Sequence, residues 1–180
     1  ADAAAAAGVE RYVLDDGWFG ARRDDKAGLG DWYVSADAWP DGLGPLVDHV
    51  KGLGMQFGLW FEPEMINEDS DLARAHPEWI MAPGERLPHT ARFQQVLNLG
   101  IPECYAWIRD RMAELVERYG VDYIKWDHNR VLIESGNRTT GRAGVHEQTL
   151  AAYRLFAELK ETFPGLEIES CSSGGGRADL

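Results

Sequence analysis

Short β-rich apolar runs alternate with helix-like segments along the chain, and several of the runs end on a distinctive polar residue. The runs are Arg11–Asp15, Gln56–Phe61, Gln95–Leu99, Val121–Asp127 and Leu166–Cys171. Between them lie candidate helices near Pro45–Leu53, Asp69–Ala75, Pro102–Tyr119 and Val145–Phe163. Tyr105, Ile108, Met112, Leu115 and Val116 fall at helical spacing, as do Leu150, Tyr153, Leu155 and Leu159. Gly120 supplies a stop after the third helix, and Pro164-Gly165 ends the fourth. This alternation predicts βαβ units and a parallel sheet. A closed (β/α)8 barrel takes about 250 residues. The 180 residues here therefore predict an α/β fold that is a partial (β/α)8 TIM barrel.

Barrel enzymes carry their sites at the C-terminal ends of the strands. Here those ends hold Asp15-Asp16, Glu62, Asp127 and Cys171. Strand residues two apart share a face. Tyr123, Lys125 and Asp127 are thus expected on one side, with Ile124 and Trp126 on the other. Gly58, Trp60 and Glu62 likewise oppose Leu59 and Phe61. The faces with Lys125, Asp127, Trp60 and Glu62 are expected to converge in a barrel mouth, and the others to pack under helices.

A net charge of −12 argues against nucleic acid as a partner, since phosphate binding needs basic patches. It suits a neutral small substrate. No apolar stretch is long enough to span a bilayer. Ala1–Ala7 lacks the charged start and long apolar core of a signal peptide and reads as the end of a helix. Both chain ends read as internal cuts, so a fragment of a longer protein is expected. Cys104 and Cys171 have neither disulfide-framework nor zinc-ligand spacing, which favours a cytoplasmic setting.

Glycoside hydrolysis needs two carboxyl groups flanking the scissile bond. A nucleophilic carboxylate at Asp127 has to stay ionised, and Lys125 and Arg130 offer opposite charge nearby. The same three residues taken alone fit an ordinary ion-pair cluster at a strand end equally well. Asp15-Asp16 can accept hydrogen bonds from neighbouring sugar hydroxyls, and Trp18 and Trp60 can face a sugar ring; Asp-Gly at a turn is the plainer alternative. Glu62-Pro63-Glu64 reads either as a ligand- or metal-orienting pair or as charge that is solvated or structural. The run Cys171–Gly176 reads either as a close approach of backbone to ligand or as a plain loop. His128 and His146 lack paired metal-ligand spacing and read as surface or structural.

Four motifs occur in order: Leu14-Asp15-Asp16-Gly17-Trp18-Phe19-Gly20, Gly58-Leu59-Trp60-Phe61-Glu62-Pro63-Glu64, Tyr123-Ile124-Lys125-Trp126-Asp127-His128-Asn129-Arg130 and Glu169-Ser170-Cys171-Ser172. Together they resemble the catalytic barrel of glycoside hydrolase family 36, the microbial α-galactosidases, over nearly the whole chain. The resemblance implies roughly strands two to six of the barrel, with residues 1–180 as a partial catalytic domain. It also implies an N-terminal β-sandwich, the barrel ends and a C-terminal β-domain elsewhere, in a homo-oligomeric parent. The implied activity is hydrolysis of terminal α-linked galactose from melibiose, raffinose and related oligosaccharides, with retention, without a metal or other cofactor.

Carried over by motif, Asp127 is the nucleophile. Asp15 and Asp16 hold galactose hydroxyls on the far side of the ring, Lys125 and Asn129 hold hydroxyls nearer the reacting carbon, and Trp60 lines the pocket. Arg92 matches a substrate-contacting arginine, and Cys171 lies near the 2-hydroxyl. The family's acid/base falls in a motif absent here, so it is expected beyond Leu180, and Asp179 receives no catalytic role. The segment alone is then expected to be inactive. Asn98, Ser173 and His128 depart from the family pattern, which bears on substrate preference. Three other readings compete: a galactosyl-transferring enzyme of the raffinose-synthase type, a Mg-dependent barrel enzyme of the enolase type with Lys125 as base, and a carbohydrate-binding remnant with a dead site.

Overall fold

The computed structural model describes residues 1–138 and 140–172. In chain order the elements are α1 (Asp2–Ala6), β1 (Arg11–Leu14), α2 (Gly44–Gly52), β2 (Gln56–Phe61), β3 (Met65–Asn67), α3 (Asp71–Ala75), β4 (Gln94–Val96), α4 (Pro102–Tyr119), β5 (Tyr123–Trp126), α5 (Val145–Thr162) and β6 (Glu167–Ser170). Strands β1, β2, β5 and β6 form one parallel sheet in that spatial order. Consecutive strands of that sheet lie side by side, as crossover units require. Among the described residues the sheet does not close.

One expectation fails. The run Gln95–Leu99 is not a strand of the parallel sheet. Its first part, within β4, pairs antiparallel with β3, in the register Met65↔Val96, Ile66↔Gln95 and Asn67↔Gln94. The parallel sheet therefore has four strands where the run count predicts five. The reason lies in the connection. A parallel crossover needs an element long enough to span the sheet, and α3 has five residues. The 18-residue α4 makes that crossing instead, carrying the chain from β2 and its excursion to β5. Residues 62–101 are thus a long loop region, braced by its own ribbon, at the C-terminal end of β2.

The crossover helices follow their local signals. Pro102 occupies the first turn of α4, where a missing N–H costs nothing. Gly120 ends it in the left-handed conformation at φ 55°. Ile108, Met112 and Leu115 of α4, with Leu155 and Leu159 of α5, are buried. They share the core with Leu59, Phe61, Ile124 and Trp126 from the sheet. Each such side chain contributes about 2 kcal/mol on burial. Trp126 packs on Phe156 with ring centroids 4.2 Å apart.

The other face of the sheet is polar, as the period-two reading predicts. The Arg11 guanidinium donates to Gln56 Oε1 and Glu167 Oε1 at 2.9 and 2.8 Å and lies over the Tyr123 ring. The Tyr123 hydroxyl donates to Glu169 at 2.5 Å. Gly58 sits among these side chains because nothing larger fits: a Cβ there would lie 2.8 Å from Val13 Cγ2 and 3.2 Å from the Tyr123 carbonyl oxygen. The alternation thus sorts apolar side chains under the helices and leaves charge on the face where a barrel would have its interior.

Candidate active site

Asp127 follows directly on β5. Its amide donates to the Phe61 carbonyl at 2.7 Å, which extends the β2–β5 ladder by one bond and fixes the backbone. Its Oδ1 accepts from the His128 amide at 2.9 Å. Its Oδ2 accepts from Asn129 Nδ2 at 2.6 Å and from the Trp60 indole N–H at 3.2 Å. Burial alone pushes this carboxyl upward. The hydrogen bonds from Asn129, His128, Trp60 and the Cys171 thiol outweigh it and hold Asp127 below the usual carboxylate range.

That arrangement corrects the ion-pair reading. The Lys125 ammonium bonds to Asp15 Oδ2 at 2.7 Å. Arg130 is buried, and its Nη2 donates to the His89 carbonyl at 2.6 Å. Asp127 is kept ionised chiefly by neutral donors, with Lys125 as a nearby charge.

Trp60 and Lys125 face each other in the β2–β5 register, with Glu169 beyond Lys125 on β6. Asp15 follows β1 and reaches Lys125 across β2. So Asp15, Trp60, Lys125, Asn129, Asp127 and Cys171 come together at one end of the sheet, drawn from four strand ends. The bond to Asp15 is the main reason the Lys125 ammonium holds its proton above the ordinary lysine range. Asp16 is held separately. The buried Arg22 donates to both its oxygens, at 2.7 Å from Nη2 to Oδ2 and 2.9 Å from Nε to Oδ1. A cavity of about 340 Å³ lined by Asp16, Gly17 and the segment 22–25 opens beside them.

The expectation that Trp18 faces a ligand fails. Trp18 is fully buried. It packs in an aromatic cluster with Phe19, Trp32 and Phe61 and donates its indole N–H to the Trp60 carbonyl at 3.0 Å. Its role is to support β2 rather than to meet a sugar. Trp60 is 3% exposed, so what it presents to the mouth is chiefly the hydrogen bond to Asp127.

Glu62 and Glu64 are also buried, at 1% and 2% exposure, which corrects the reading of this pair as solvated charge. Glu62 lies one residue past the end of β2 at Phe61. Its Oε1 accepts from the Asn129 amide at 2.6 Å and its Oε2 from Gln94 Nε2 at 2.9 Å. Burial, reinforced by the charge on Asp127 and opposed by the Asn129 and Gln94 bonds, pushes Glu62 up to about 7. Glu64 accepts from the Trp126 indole N–H at 3.1 Å.

Arg92 is exposed and lies in a tight turn, Ala91–Gln94, where it and Phe93 both have positive φ, 53° and 59°. For residues with a Cβ each such conformation costs about 1–3 kcal/mol and needs external support. Asn67, fully buried, supplies it. Its Nδ2 donates to the Phe93 carbonyl at 2.9 Å, and its Oδ1 accepts from Arg22 Nη1 at 3.1 Å and from the Leu29 amide at 2.8 Å. The Arg92 turn and Asp16 are thereby joined through two buried side chains. Neither Asn67 nor Arg22 stands out in the sequence. The only available signal is an asparagine after two apolar residues in a strand-like run.

Asn98 lies elsewhere. Its Oδ1 accepts from the Gly100 amide at 3.0 Å and shapes the turn into α4. His146 is exposed, while His128 adjoins the site through its amide. Ser173 and Asp179 lie outside the described residues. Among the described residues, no group of three or more His, Cys, Asp or Glu side chains is arranged to hold a metal ion, and no helix is long and apolar enough to cross a membrane.

A family model described as Melibiase matches residues 1–180. The chain is 54% identical to an α-galactosidase of Escherichia coli over 181 residues, which takes in all of this chain and 25% of that protein. It superposes on the crystal structure of an α-galactosidase from Lactobacillus brevis with a TM-score of 0.93 at 41% identity, covering 99% of this chain and 24% of that one. A variant of a family 36 α-galactosidase from Geobacillus stearothermophilus, solved with raffinose, gives 0.91 at 39% identity over 98% of this chain and 25% of its own. The chain thus spans about a quarter of the length of the relatives it matches.

Proposed function

The chain belongs to the melibiase family, glycoside hydrolase family 36, and from that premise we propose that it is part of a retaining α-galactosidase. The four-stranded sheet is then one arc of a (β/α)8 barrel, its polar face turned inward. The complete protein adds the remaining strands, a β-sandwich before them and a β-domain after them, and assembles as a homo-oligomer. The substrates proposed are oligosaccharides ending in α-linked galactose, such as melibiose and raffinose. In support, relatives carry the name α-galactosidase, and family structures are described in complex with raffinose and stachyose. Cys104 and Cys171 are both free, and a cytoplasmic setting belongs to the same proposal.

One observation carries the reading: Asp127 is a half-buried carboxylate held ionised by donors that converge on it from β2, the segment after β5 and the end of β6. Such a group is suited to attack an anomeric carbon. On this reading Asp127 forms the bond to C1 as the glycosidic oxygen leaves with a proton from a second carboxyl group. Water, deprotonated by that second group, then displaces Asp127 and restores the original configuration. The two carboxyl groups are expected about 5–5.5 Å apart. The second is assigned beyond Leu180, so the isolated segment is expected to be inactive. Asp15, Asp16, Lys125, Asn129, Arg92 and Cys171 bind the sugar hydroxyls, and Trp60 closes the wall behind them.

The test is Asp127→Ala in the complete protein, assayed on an α-galactoside and on its α-glucoside counterpart. The expected result is loss of turnover, partly restored by azide as a glycosyl azide of inverted configuration. Wild-type turnover by the variant, or a preference for the glucoside, would overturn the proposal.

A further inference from the structure

We propose that Glu62 is a positioning residue for Asp127, acting through the backbone and side chain of Asn129. The proposal rests on the reading of Asp127 as nucleophile and adds a residue to it that does not itself touch substrate.

A fully buried carboxylate is costly unless its oxygens are met by donors. Glu62 meets that condition with two donors from different elements. The Asn129 amide approaches Oε1 at 2.6 Å and the Gln94 side chain approaches Oε2 at 2.9 Å. Gln94 is itself fixed on β4, opposite Asn67. Glu62 therefore ties the segment after β5 to the β3–β4 ribbon.

The tie ends one step from the reacting group. Asn129, whose amide Glu62 holds, donates its Nδ2 to Asp127 Oδ2 at 2.6 Å. The same oxygen receives the Trp60 N–H at 3.2 Å, and Trp60 lies two residues before Glu62 on the same run. On the other side of Asp127, Glu64 holds the Trp126 indole. The two glutamates thus hold residues before and after Asp127. The pattern that fixes one oxygen of Asp127 consists of one direct bond from β2 and one bond relayed through Glu62.

Reach and charge are separable at this position. Glu62→Gln keeps the length and one acceptor oxygen for the Asn129 amide. Its new N–H can be met by Gln94 Oε1, a buried atom with no hydrogen-bond partner, once the Gln94 amide turns over. Glu62→Asp keeps the charge and withdraws the acceptor by one methylene. In the complete protein, with an α-galactoside as substrate, Glu62→Gln should keep kcat within about threefold. Glu62→Asp should lower kcat on the order of 10- to 100-fold with KM nearly unchanged, as expected for a misplaced reacting group. In an Asn129→Ala background, Glu62→Asp should cost little more, because the relay is already cut.

Equal losses in both backgrounds would overturn the proposal, since they describe general weakening of the fold. A tenfold or greater loss for Glu62→Gln would overturn it too, because the charge rather than the reach would then matter. Should Glu62→Asp fail to fold, Glu62→Ala takes its place, with a loss on the order of 10-fold or more expected and the same comparison made in the Asn129→Ala background. Asp127→Ala reports separately on the nucleophile. Intact turnover there sinks that reading, whereas lost turnover there with no Gln–Asp difference at position 62 sinks only the positioning role.

Discussion

The Trp60 indole N–H donates to Asp127 Oδ2 at 3.2 Å from the neighbouring strand. A residue whose spacing suggests a wall for a sugar is also a direct partner of the carboxylate. Trp60→Phe keeps the ring between Phe19 and Trp32 but removes that donor. Hydrogen bonds to charged groups are worth about 1.5–3 kcal/mol. In the complete protein, the expected loss in kcat/KM for an α-galactoside is on the order of 10-fold or more, with the circular dichroism spectrum unchanged. A variant as active as the wild type would show that the bond has no catalytic consequence.

Asn129 supplies the shortest side-chain bond to the same oxygen, at 2.6 Å. Its removal in Asn129→Ala leaves burial, which raises the Asp127 carboxyl, less opposed. On the proposed mechanism the ionised form is the one that attacks. The acidic limb of the pH profile of kcat/KM should therefore move to higher pH, so that the variant loses activity sooner as the solution is acidified. A limb that stays in place or moves the other way contradicts the assignment.

Glu62 gives a prediction for stability. Its carboxyl is raised to about 7 in the fold against an ordinary value of 4.5. Below 4.5 both folded and unfolded chains hold the proton, and nothing is lost. Between 4.5 and about 7 the unfolded chain gives it up while the folded one keeps it, so stability falls as pH rises. Glu62→Gln removes the titration. The melting temperature of the variant relative to wild type should rise across that window, corresponding to a change on the order of 3 kcal/mol between its ends. A difference that is flat with pH would show that Glu62 is not the group titrating.

Asn67 uses its whole side chain inside the fold, with bonds to Arg22, Leu29, Phe93 and Asp25. Asn67→Ala leaves several buried groups unpaired, each costing about 1–3 kcal/mol. Thermal or urea denaturation should show a loss of about 3 kcal/mol or more. Where the variant still folds, KM for an α-galactoside should rise more than kcat falls, because the Arg22–Asp16 pair and the Arg92 turn lose their common support.

The period-two pattern of Tyr123–Asp127 and Gly58–Phe61 was sufficient to place Lys125, Asp127 and Trp60 together, because alternation is a property of any strand buried on one side. The helices Pro102–Tyr119 and Val145–Thr162 were legible for the same kind of reason, their apolar residues repeating at the helical period over 18 residues each. Gln95–Leu99 misled because a short apolar run looks alike in a barrel strand and in a loop ribbon. What separates them is the length of the connection before it. Glu62 and Glu64 were legible as unusual but not as buried, since burial depends on Gln94 and Asn129 arriving from elsewhere in the chain. Arg22 and Asn67 act only through such distant partners, which no local pattern records.

The register Trp60↔Lys125 gives the site a parity. Deleting or inserting one residue in β5 ahead of Lys125 would send Lys125 and Asp127 under the helices and bring Ile124 and Trp126 into the mouth, exchanging recognition for core in a single step. Changes of two residues preserve the sides, although they shift Asp127 along the strand by about 7 Å. Length variation in homologous proteins is therefore expected outside the strands, and within residues 62–101 only away from the β3–β4 ribbon, whose own register Met65↔Val96 carries the same parity.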